Sequence, residues 1–152
     1  MTYDVKDIAK WFLNRNKIDE MEGIGDGISN LKLQKLLYYA QGCALGVNDT
    51  PLFREDIVAW THGPVVEEIY HEYKVFGSAP IAFEDDFDGS FLTKDDDALL
   101  LQVYRLFGQY SAWKLREMTH NELPWKNAAH NGIIQKESIK KYFIEKYIAN
   151  AE

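Results

Sequence analysis

The stretch from Asn30 to Gly46, NLKLQKLLYYAQGCALG, constrains this chain more than any other. Leu33, Leu36, Leu37, Ala40 and Ala44 recur at helical spacing and make one apolar stripe. Gln34, Tyr38 and Gln41 fall on a second face, and Cys43 lies beside the stripe. An apolar arc this wide predicts a central helix that other elements must surround. A chain of 152 residues is long enough to supply them. A single domain of that size hides roughly 70% of the surface its unfolded chain exposes.

The surrounding elements read as mostly helical. Val5, Ile8, Ala9 and Phe12 form the inner stripe of a helix over about 4–16, with Asp4 as its cap. Residues 21–28, MEGIGDGI, are a glycine-broken loop. That loop lacks the preceding strand, the GxGxxG spacing and the following Lys-Ser or Lys-Thr of a phosphate cradle. IVAWT at 57–61 reads as a short strand. His62-Gly63-Pro64 then turns the chain, with Pro64 placed for the first turn of a helix that runs to about Phe76. Ala79 to Phe83 reads as a second short strand pairing with the first. Thr93 and Ser111 are caps for helices ending near Phe107 and His120. Pro124 breaks the chain before a short helix or turn, and a last helix spans about Glu137 to Ala149. The expected architecture is a mainly α single domain over residues 1–152. It is a compact bundle of six to seven helices with one small two-stranded β element.

Chemistry has little to build on. Cys43 is the only cysteine, so an internal disulfide is excluded, and it sits mid-helix with no cation near it in sequence. No GxSxG elbow is present. His62, His71, His120 and His130 offer no i, i+4 zinc pair. The acidic run 84–97 places Glu84, Asp86, Asp88, Gly89 and Asp95 at positions 1, 3, 5, 6 and 12 of an EF-hand-like loop. Glu crowds the first position, Asp95 is too short for bidentate chelation, and a solvated acidic loop is the better reading. No catalytic residue, metal ligand or cofactor is therefore expected.

Net charge is −7, from 17 basic and 24 acidic residues, which disfavours a nucleic-acid partner and suits a basic protein one. The runs Lys32 with Lys35, and Lys136 with Lys140 and Lys141, form no basic stripe interleaved with exposed aromatics. No apolar run reaches the ~20 residues that span a bilayer. The first residues lack a basic segment followed by an apolar one, so a secretory signal is not expected and the expected address is the cytoplasm. Aromatics are abundant, at 14%. Two groups sit at breaks: Trp60, His62, Gly63 and Pro64 at one corner, and Thr119, His120, Pro124 and Trp125 at another. Both tryptophans can plug the core, or both can serve an interface.

Three runs carry a family resemblance: LKLQKLLYYAQG (31–42), PLFREDIVAWTHGPVVEEIYHEYKVFG (51–77) and LTKDDDALLLQVYRLFGQYSAWKLREMTHNELPW (92–125). Together they resemble the Panacea domain family, with its phage-associated, GepA-like and SocA-like members, over about residues 5–149. The matching positions are Gln34, Gln41, Trp60, His62, Gly63, Pro64, Tyr70, Thr119, His120, Pro124 and Trp125. The resemblance implies a mostly helical antitoxin that neutralises a cognate protein toxin by direct binding, with no shared catalytic site. The alternatives are a proteolytic adaptor that delivers the toxin to a protease, or a phage-associated metal-dependent or enzymatic module. Trp60, His62, Tyr70, His120 and Trp125 are the residues expected at the partner-binding surface.

Overall fold

The computed structural model of the protein describes residues 2–148. In chain order the elements are α1 (Val5–Met21), α2 (Asn30–Asn48), β1 (Ile57–Trp60), β2 (Gly63–Val65) and α3 (Glu67–Tyr73). They continue with α4 (Lys94–Phe107), α5 (Ala112–His120), α6 (Leu123–Lys126), β3 (Ile133–Ile134) and α7 (Lys136–Phe143). A π turn over Ile144–Ile148 extends α7. Ala149, where the sequence placed the end of the last helix, lies outside the described residues. Among the described residues, no helix is long and apolar enough to cross a membrane.

The helix α2 is the axis of the fold. Fourteen of its 19 residues are buried, on every side of the helix and not only along the leucine stripe. The helices α1, α3, α4, α5 and α7 and the strand β2 all pack on it. Burial on all sides is what a helix with so wide an apolar arc requires. The close approach of α7 depends on Gly42, because a Cβ there would overlap the Phe143 ring. Several polar residues of α2 are buried too, and Gln41, Gln34 and Lys32 satisfy backbone that would otherwise lack a partner. Gln41 donates to the Phe53 carbonyl (2.8 Å) and accepts from Leu52 N–H (2.7 Å). Gln34 accepts from Val66 N–H (2.8 Å), at the joint between β2 and α3. The Lys32 ammonium reaches the Gly108 carbonyl (2.7 Å) at the end of α4, where the helix dipole favours a cation. Lys32 and Lys35 thus turn inward and hold the fold together.

The caps fall where the sequence placed them: Asp4 on α1, Thr93 on α4 and Ser111 on α5. Four elements differ from expectation. The helix α1 continues to Met21, held in its last turns by the i, i+4 pairs Arg15–Asp19 (3.0 Å) and Asn16–Glu20 (2.6 Å). Pro64 belongs to a strand, not to a helix, and α3 begins only at Glu67. The segment Ala79 to Phe83 is not a strand of the sheet. Its Pro80 bridges Ser29, and Ile81 N–H donates to the Ile28 carbonyl (2.8 Å), so it pairs with the chain entering α2. The sheet has three antiparallel strands instead of two, in the order β2-β1-β3, with Val58 opposite both Val65 and Ile133. Pro64 tolerates this setting because β2 is an edge strand, where its missing N–H costs no ladder bond.

Candidate functional site

The hairpin β1–β2 crosses α2 with its turn at Thr61-His62. Gly63 follows with φ +112°, a conformation open to glycine and strained for other residues. An added Cβ would stand 2.8 Å from Lys35 Cε and 3.0 Å from Thr119 Oγ1. The Lys35 side chain runs fully buried beneath this glycine and donates to the Pro64 carbonyl (3.0 Å). Burial, assisted by the charge of Arg116, pushes its ammonium down to about 7.

Two further elements fix the hairpin. The Trp125 indole N–H donates to the Trp60 carbonyl (2.9 Å). The His120 ring lies 4.0 Å from the Trp125 ring, centroid to centroid. Each nitrogen of His120 is 2.7 Å from a carbonyl oxygen, that of Arg116 within α5 and that of Thr61 at the hairpin turn. The imidazole therefore ties α5 to the turn.

On its other side the hairpin opens a groove of about 590 Å³. Trp60 and Tyr70 form an edge-to-face pair there, with ring centroids 4.9 Å apart. His62, Lys74 and Gln34 also line the groove. His62 Nδ1 accepts from Arg116 Nε (3.1 Å), which places the ring proton on Nε2. The Arg116 guanidinium in turn lies over the Trp113 ring, 4.5 Å from its centroid, and Trp113 is 59% exposed.

The five residues singled out in the sequence are thus brought into one chain of contacts, with different geometry. Trp60, His62 and Tyr70 line the groove, whereas His120 and Trp125 grip the hairpin backbone at Trp60 and Thr61. Sequence reasoning missed Trp113 and Arg116. Their i, i+3 spacing on α5 was the available signal.

Burial, then the Glu122 carboxylate, pushes the Cys43 thiol up to about 12. Glu122 is 4% exposed and accepts from the hydroxyls of Tyr38 (2.9 Å), Tyr39 (3.1 Å) and Tyr147 (2.5 Å). Burial raises its carboxyl against the downward pull of these three bonds. The acidic run 84–97 is not gathered into one cluster. Asp88 caps its own turn, Asp96 accepts from Tyr3 and Asp97 from Trp11, and Asp85 lies near Lys10. Among the described residues, the one set of His, Cys or carboxylate groups close enough to share a cation is Asp4, Glu55 and Glu68. It brings three carboxylates together, with one oxygen from each within 4.8 Å of the others.

Residues 33–126 match the family model described as "Antitoxin SocA-like, Panacea domain". The match contains the hairpin, both supporting elements and most of the groove lining, with Asn30, Leu31 and Asn131 outside it. No curated protein and no solved structure matches the chain.

Proposed function

The chain belongs to the SocA-like antitoxin family with the Panacea domain, and from that premise we propose that it neutralises a cognate protein toxin by direct binding through the Trp60 face. The observation that carries this reading is the groove wall that Trp60 and His62 of the hairpin form with Tyr70 of α3, the hairpin being gripped by His120 and Trp125. Tryptophan, tyrosine and arginine supply most of the binding energy where proteins meet. A surface fixed before binding avoids the ordering cost that weakens flexible ones. A stable interface buries about 1,600 Å² in total, so the partner covers more than the groove. Neutralisation is then occlusion, and no bond is made or broken.

The test is co-expression with the product of the neighbouring reading frame. Growth arrest by that product alone, and relief when this chain is present, is the expected result. Trp60→Ala and His62→Ala should lose relief while the purified variants melt cooperatively. Absence of relief by the unaltered chain, or turnover of a small molecule by the purified protein, overturns the reading.

A further inference from the structure

We infer that the groove and the ledge that Arg116 and Trp113 form beside it receive an acidic polypeptide segment that also carries an aromatic or large apolar side chain; this rests on the antitoxin reading and specifies its partner's chemistry. The chain holds 24 acidic residues, yet none of the described ones lines the groove. Its one charged lining residue is Lys74, and the polar rings of His62 and Tyr70 stand beside it. Arg116 spends one N–H on His62 and lies over Trp113. Among the described residues neither Arg116 nor Lys74 takes part in an ion pair.

Glu72, two residues before Lys74, forms no ion pair with it, and two other nearby carboxylates are engaged elsewhere. Glu68 faces Asp4 and Glu55, and Glu117 lies near Lys114 (4.0 Å). The terminal nitrogens of Arg116 are thus left as a planar fork held by a ring below and an imidazole beside it. Such a fork fits a carboxylate with two parallel hydrogen bonds. The Trp60–Tyr70 wall supplies an apolar seat next to it for a neighbouring side chain.

The net charge of −7 does not oppose this contact. Charges more than about 8–10 Å away are screened at physiological salt, so local groups decide what touches the groove. A nucleic acid is the poorer occupant, because phosphate backbones need several cations in a row. The groove and the ledge together offer two, Lys74 and Arg116, that make no ion pair among the described residues.

Two measurements separate this inference from the reading it rests on. The first uses purified full-length protein and three fluorescently labelled probes: a short peptide alternating Glu with Phe and Trp, its Lys-for-Glu counterpart, and a thymidine oligonucleotide. Preference of about tenfold or more for the Glu peptide is expected. Arg116→Glu and Trp113→Ala should each abolish that preference without lowering the melting temperature. Equal binding of the two peptides, absence of binding, a preference that survives Arg116→Glu, or tighter binding of the oligonucleotide overturns the inference. The second is the co-expression assay with the unaltered chain, which judges the antitoxin reading whatever the peptides do.

Discussion

The indole N–H of Trp125 donates across 2.9 Å to the carbonyl oxygen of Trp60, so one tryptophan holds the backbone of the other. The two side chains then do separate work, one lining the groove and one fixing the strand end beneath it. Trp125→Phe keeps most of the ring and deletes the donor. It should cost about 1 kcal/mol, and more if the Trp60 carbonyl stays dry. Thermal melting should fall by about 2–4 °C for each kcal/mol. An unchanged melting temperature would show that the bond carries no weight.

Gly63 has no room for a side chain and a backbone angle that favours none. Gly63→Ala should destabilise by about 2 kcal/mol through strain, plus whatever displacement of Lys35 adds. Urea unfolding would measure it. A midpoint equal to that of the unaltered chain would mean that the hairpin relaxes freely.

Lys35 makes stability depend on pH in a defined direction. Its ammonium sits at about 7 in the folded chain and near 10.5 when unfolded. Between those values the unfolded chain binds more protons, so stability rises with pH. The benefit is complete above the unfolded value and is lost as pH falls through about 7. From pH 7 to 9 this one group should add about 2 kcal/mol. Lys35→Met should flatten the slope by that amount in urea titrations at each pH. Equal slopes in the two proteins would place the Lys35 amine in contact with water.

Much of this molecule is written in local sequence. The α2 stripe and the caps Asp4, Thr93 and Ser111 follow from short-range rules, and the structure contains them. Pro64 misleads because the missing N–H that suits a helix start also suits an edge strand, and only the partner strand decides between them. Ala79 to Phe83 has strand-like composition, but Ile28 and Ser29 take its pairing, from a loop about fifty residues earlier. At the candidate site, Trp60, His62, His120 and Trp125 could be suspected from their positions at two chain breaks, and Tyr70 only from the family resemblance. The division of labour among them could not, because it depends on which backbone carbonyl each ring meets. Glu122 was invisible for the same reason. An isolated glutamate reads as exposed, and only three tyrosines from two distant helical segments bury it.

The enclosure of α2 bears on how a scaffold of this kind can diversify. Each buried position of that helix is touched from several directions, so a change there is felt by neighbours that must change with it. The shell has more freedom. His62, Lys74 and Trp113 are exposed, and Trp60, Tyr70 and Arg116 are only partly covered, so they can be exchanged with little repacking inside. A new binding preference can therefore arise on the rim while the axis stays as it is.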